Sequence, residues 1–126
     1  MADYSPVYAD GIRPFTLGAS GTITGGTLVE ATTTGNCATA GAASTKVIGV
    51  AAFDAVSGGR VSVWPLPGVM HEIIHTAGGA VGDVMTAAAS GQMATTAAAT
   101  AAAAGTDLGV AVTTASAGAK IRFIGR

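Results

Sequence analysis

Along nearly the whole chain, short runs of Val, Ile, Thr and Phe are separated by the glycine pairs Gly25-Gly26, Gly58-Gly59 and Gly78-Gly79. Such punctuation is expected of strands joined by turns. The last segment is the clearest. Ile121 and Phe123 alternate with Lys120, Arg122 and Ile124, so the two basic side chains share the face opposite an apolar pair. Arg60-Val61-Ser62-Val63-Trp64 follows the same design, with Val61 and Val63 inward and Trp64 outward. Ala97–Ala104 departs from this pattern. Alanine is the best helix former, but a run this short is marginal alone, so either a short helix or an irregular loop is expected there.

The pattern repeats. A shift of 60 places Ile48-Gly49-Val50-Ala51 on Leu108-Gly109-Val110-Ala111, Gly58 on Gly118, Arg60 on Lys120, Val61 on Ile121 and Val63 on Phe123. A shift of 56 places Gly26-Thr27-Leu28-Val29 on Gly82-Asp83-Val84-Met85, and Gly35-Asn36-Cys37-Ala38-Thr39 on Gly91-Gln92-Met93-Ala94-Thr95. The four-residue difference falls near the Ala-rich stretch, where an insertion costs least. Turn glycines and apolar positions stay in step, which predicts two pseudo-repeats, about 22–64 and 78–124, each a β-hairpin unit. Together they predict an all-β domain over 15–126, a small barrel or sandwich of about eight short strands.

Composition narrows what such a domain does. The 126 residues suit one domain, and 49% are hydrophobic, yet only three Phe, one Trp and two Tyr serve the whole chain, beside 19 Gly. So thin a core is expected to gain stability from neighbours. Charged residues make up 10% with a net charge of -1, far below the roughly 25% of an average domain. No basic stripe tracks phosphates, so no nucleic acid is expected as partner. A surface this poor in charge is expected to be covered in use. No apolar run suggests a membrane span and the N-terminus lacks a secretion signature, so synthesis and assembly are expected in a cytoplasm. Cys37 is the one cysteine; its alignment with Met93 reads as a core position.

Residues 1–14 stand outside the repeat. They hold both tyrosines, Tyr4 and Tyr8, with Pro6, Arg13 and Pro14, and lead into Phe15. The prolines bias the preceding residues toward extended backbone. Two arrangements follow: an arm whose aromatic anchors lie on a partner, or a strap folded onto the chain's own barrel.

His71-Glu72-Ile73-Ile74-His75 matches the H-E-x-x-H pattern of zinc proteases, which requires a helix to bring both imidazoles to one metal. Pro65, Pro67 and Gly68 before it, Gly78 and Gly79 after it, and two β-branched residues within it oppose a helix. On a strand the two histidines stand about 13 Å apart, so His71, Glu72 and His75 are read as a false match. The mixed polarity suggests an outward or subunit-facing strand. No nucleophile elbow, P-loop or Cys/His zinc spacing occurs, and Asp54, Asp83 and Asp107 fall at turns. A binding protein with no catalytic residues, no cofactor and no metal is expected.

Thr22-Ile23-Thr24-Gly25-Gly26, the run Ala42–Ala51, Gly82-Asp83-Val84, Gly91-Gln92-Met93 and Leu108–Ala115 resemble the small capsid decoration, or cement, proteins of tailed bacteriophages, over approximately residues 15–125. The resemblance implies an architecture similar to the β-tulip head-stabilising protein of phage lambda. It implies a protein on the outer surface of the virion head that bridges major capsid subunits, as a homotrimer or else a dimer. The candidate contacts are then Tyr4, Pro6, Tyr8, Arg13, Pro14 and Phe15, followed by Trp64, Pro65 and Leu66. Trp64 is alternatively a satellite core residue under a loop. The rival readings are an adhesive or carbohydrate-binding β module, which the shortage of aromatics disfavours, and a hydrolase built on His71 and His75.

Overall fold

A computed structural model describes residues 3–126, and twelve strands run through them. The first five are β1 (Phe15–Ala19), β2 (Leu28–Ala31), β3 (Asn36–Thr39), β4 (Val47–Ala51) and β5 (Arg60–Pro65). They close into a barrel in the order β1-β3-β2-β4-β5. β1 completes the ring by pairing parallel to β3 and antiparallel to β5. The following strands are β6 (Met70–Ile74), the two-residue β7 (Gly78–Gly79), β8 (Val84–Ala87), β9 (Met93–Thr95), β10 (Gly109–Ala111), the two-residue β11 (Ala115–Ser116) and β12 (Lys120–Gly125). Their main sheet has the order β6-β12-β10-β8-β9. A parallel bridge from His75, just past β6, to Met93 brings its two ends together.

The repeated unit is therefore a whole five-stranded ring rather than a hairpin, and twelve strands replace the expected eight. Register carries the equivalence to single residues. Phe15, Thr16, Leu17 and Gly18 lie opposite Val63, Ser62, Val61 and Arg60; 56 and 60 positions later, His71, Glu72, Ile73 and Ile74 lie opposite Phe123, Arg122, Ile121 and Lys120. The Ile23–Ala55 bridge recurs as the Gly79–Ala115 pair of β7 and β11. The repeat thus extends upstream of residues 22 and 78 to include β1 and β6. Gly49 and Gly109 occupy one equivalent position for a shared reason. A Cβ there would lie 2.1 Å from the Trp64 carbonyl oxygen or 2.0 Å from that of Ile124, so only glycine lets the neighbouring strand approach.

The alternation read in the sequence places the core. Val61, Val63, Ile121 and Phe123 are fully buried, while Arg60, Lys120 and Arg122 are exposed. One cluster of Ala19, Ile23, Val29, Cys37, Ala51, Ala55, Val61 and Val63 fills the first ring. The other joins Ile73, Met85, Met93, Ile121 and Phe123 of the second ring to Leu28, Val50 and Leu66 of the first, so it also serves as the seam between the rings. The Ala-rich insertion forms a helix, α1 (Ala98–Ala104), ended by Gly105 in the left-handed conformation. It lies against β8 with Ala101 fully buried.

Candidate functional site

The segment before β1 runs as a strap across both rings. Tyr4 donates its backbone N–H to the Ala52 carbonyl at 2.6 Å, and Asp3 forms an antiparallel bridge with Phe53 of the first ring. Four residues on, Val7 donates to the Met70 carbonyl at 2.8 Å and Met70 donates to the Tyr8 carbonyl at 2.9 Å, on the second ring. The extended backbone that Pro6 favours suits this crossing. Of the two arrangements open from the sequence, the described residues adopt the one folded onto the chain's own barrels; Met1 and Ala2 of the expected arm lie outside the described residues.

The strap is pinned by a buried polar relay. The Glu72 N–H donates to the Tyr4 hydroxyl at 3.1 Å, and that hydroxyl donates to His71 Nδ1 at 2.7 Å. His71 Nε2–H in turn donates to the Pro65 carbonyl at 2.8 Å. The relay assigns the proton to Nε2. Tyr4 stacks on His71 with ring centroids 5.9 Å apart, and His71 meets Phe123 at a tilt of 34° with centroids 5.7 Å apart. Burial pushes the His71 pKa down, opposed by its bond to Pro65, and holds the Tyr4 phenol well above its ordinary range.

His75 has a second relay. Its Nδ1 accepts the Ala77 N–H at 3.2 Å, its Nε2 donates to Thr95 Oγ1 at 2.9 Å, and that hydroxyl donates to Asp83 Oδ2 at 3.4 Å. Burial lowers its pKa too, with the Asp83 charge acting the other way. His71 and His75 are 0% and 1% exposed. This corrects the expectation of an outward or subunit-facing strand: these residues face the ring interior because protein groups satisfy both nitrogens of each imidazole. Glu72 lies on the opposite face, ion-paired with Arg122 at 2.9 Å. Among the described residues, no three His, Cys, Asp or Glu side chains gather where a metal ion could be held.

The turn aspartates act as caps. Asp54 accepts the Gly25 N–H at 2.9 Å, Asp83 that of Ala80 at 2.9 Å and Asp107 that of Gly109 at 3.0 Å. Cys37 is fully buried, which raises its thiol pKa and withholds the reactive thiolate. Two cavities open between the surface elements. One of about 490 Å³ lies at the end of the first ring beside Ile23, Val56 and Arg60. The other, of about 460 Å³, lies under the strap beside Asp3, Glu72 and Lys120.

The residues expected to meet a partner are divided by this arrangement. Tyr8, Arg13, Pro14 and Phe15 are exposed, with Tyr8 at 55%, and Val7 joins them at 41%. Pro6 is half-buried and Tyr4 is engaged with His71. Trp64 and Pro65 are half-buried, on β5 opposite Val50 and Gly49. Leu66 is not a surface contact but core, 4% exposed at the seam between the rings. Directly opposed residues share a face, so Phe15 lies on the barrel side with Val63 while Trp64 points the other way. The two aromatic anchors therefore do not form one patch. Sequence reasoning missed the Tyr4–His71 relay, whose partners are 67 residues apart; the stray histidine on an apolar strand face was its one trace.

No protein-family model matches this chain, and no curated protein does. Its fold matches a solved structure described as the N base of the head fiber gp8.5 in bacteriophage phi29. The match has a TM-score of 0.70 at 21% identity and covers 91% of this chain and 94% of that one. A likeness at that identity establishes the fold, a small all-β architecture built around a closed barrel. The match is to a head fiber rather than to the head-stabilising protein of phage lambda.

Proposed function

We propose that this chain is a structural, non-catalytic protein of a bacteriophage virion, seated on the outer surface of the head. There it acts as a cement that binds the major capsid protein and bridges adjacent subunits. The observation that carries this reading is the fold shared, over 91% of this chain, with a protein described as a phage head fiber base. The chain's own chemistry supports it. Charge is sparse, both histidines and the cysteine are buried, and the exposed apolar side chains of Val7 and Tyr8 on the strap and of Phe15 on β1 are held by backbone pairing in a fixed place. On this reading Tyr8, Arg13, Pro14 and Phe15 are the capsid contacts, and each copy adds contact area across a seam that pressure inside the head tends to open. Many such contacts act together through multivalency. A homotrimer is the assembly proposed, with a dimer as the alternative.

The same match favours a second reading, in which the two rings are the head-proximal base of a longer projection. Undecorated expanded heads mixed with the purified protein test both. Saturable binding at a stoichiometry fixed by the capsid lattice, with a raised thermal transition of the heads, supports the cement. Binding at few sites without stabilisation supports the base of a projection. Absence of binding to cognate heads rejects both and returns the adhesive module.

A further inference from the structure

The internal repeat allows each surface feature of one ring to be checked against the other, and one feature is covered in the first and bare in the second. In the first ring the strap lies over Gly26, Ala52 and Phe53. A Cβ at Gly26 would stand 3.5 Å from Tyr4 Cδ1, the Tyr4 N–H is bonded to Ala52, and Asp3 bridges Phe53. The equivalent positions of the second ring are Gly82, Val112 and Thr113. Their backbone is built alike. Gly26 and Gly82 have φ of 82° and 90° and donate to the carbonyls of Ala51 and Ala111, both at 2.8 Å. The side-chain brace recurs too, with Thr114 Oγ1 accepting the Val81 N–H where Asp54 accepts that of Gly25. Yet nothing stands within 4 Å of a Cβ built at Gly82. Two of the flanking positions are more apolar than their counterparts, while Phe53 gives way to Thr113. Gly25 is replaced by Val81, 62% exposed, and Ala52 by Val112, 39% exposed.

We infer that Gly82, Val112, Thr113 and Val81 form a second strand slot, and that it receives an extended segment of a different protein chain. The segment pairs its backbone at Val112 and Thr113 and sets a bulky apolar side chain over Gly82. The resident strap is not the occupant, because its bonds to His71 and Ala52 hold it over the first slot, which leaves the second to a segment of another chain. The chemistry of the occupant follows from the slot. Backbone pairing supplies affinity without sequence, as in strand addition to a sheet edge, and the valine walls select an apolar side chain. The inference rests on the internal repeat and stands whether or not the chain belongs to a virion.

The test uses the whole isotope-labelled protein and a hexapeptide copied from residues 3–8, Asp-Tyr-Ser-Pro-Val-Tyr, as a stand-in for the segment. Saturable shifts of the Val81, Gly82, Val112 and Thr113 amides are expected, weakened roughly tenfold, about 1.4 kcal/mol, by Val112→Glu and by alanine at the first tyrosine of the peptide. Val112→Ser, a milder change at the same exposed site, should weaken binding less while leaving the thermal transition in place. Shifts confined to Ala52 and Phe53, meaning displacement of the resident strap, would overturn the inference. So would the absence of saturable shifts, or binding indifferent to Val112→Glu.

Discussion

The first ring is lined by Ala19, Ile23, Val29, Cys37, Val61 and Val63; at the matching positions the second holds His75, Gly79, Met85, Met93, Ile121 and Phe123. Backbone and register are shared while the contents differ, and the differences compensate. Where the first ring pairs small Ala19 with large Ile23, the second pairs large His75 with Gly79. A Cβ on Gly79 would stand 3.2 Å from His75 Nε2 and 3.1 Å from both Thr95 Oγ1 and the Ile121 Cδ1. Close packing explains why the two exchange together, since volume added at one position must be removed at the other. On the outer face a Thr16–Ser62 hydroxyl contact at 3.4 Å in the first ring becomes the Glu72–Arg122 ion pair in the second. One topology thus tolerates an apolar filling and a polar-relay filling, provided every buried polar side chain is met; no buried side-chain nitrogen or oxygen is left unmet among the described residues.

The largest expected break of this comparison is Phe123→Ala. It removes the biggest fully buried side chain and should cost about 3–5 kcal/mol, against roughly 2 kcal/mol for Val63→Ala at the matching site. Denaturant unfolding of both variants measures the contrast, and equal costs would argue that the rings do not pack independently of their contents.

Next comes the exchange itself. His75→Ala alone should cost roughly 2–3 kcal/mol through the cavity it leaves. Adding Gly79→Ile, which imitates Ala19 and Ile23, should recover more than about 1 kcal/mol, whereas Gly79→Ile alone destabilises by overpacking. Additive effects in the double-mutant cycle would reject the compensation. The same residues set the response to acid. Both histidines have folded pKa values below their ordinary 6.5, so the unfolded chain takes up protons first. Stability is then full above about pH 6.5 and declines as pH falls from there toward the folded values. Hydrogen exchange at pH 5 should loosen β6, β9 and the strap before β1–β5, and a uniform loss across both rings would contradict this.

Tyr4→Phe is a smaller test, expected to cost about 1–2 kcal/mol by leaving His71 Nδ1 and the Glu72 N–H without their partner. It should raise amide exchange at Ala52 and Met70 without altering the rings. The smallest effect is reserved for Arg122→Ala, whose partly exposed ion pair should contribute no more than about 1 kcal/mol. A cost near that of Tyr4→Phe would move the importance of this face from the relay to the ion pair.

Much of this was legible in the order of residues. Alternation at 60–64 and 120–124 gave the inward faces, the in-step glycines gave the repeat, and the alignment of Cys37 with Met93 gave a buried thiol. β1 and β6 escaped because their likeness lies in register rather than residue type: Phe15 and His71, or Ala19 and His75, have little in common as letters. Tyr8 and Phe15 stand out in the sequence as aromatic residues outside the repeat, and both are exposed, but Leu66 passed for surface because the seam that buries it is formed by the second ring.

By itself the sequence determined the class of structure, strands with thin cores in two copies, because periodicity and turn glycines act over a few neighbouring residues. Tertiary structure decided three further matters: that each copy closes into a ring, that the two histidines turn inward, and that one strap covers the first slot while the second stays bare. Each depends on contacts between residues tens of positions apart, such as Tyr4 with His71 and Phe15 with Val63. Local propensity carries no record of such pairings, which are fixed only when burial and hydrogen bonding are satisfied across the whole chain at once.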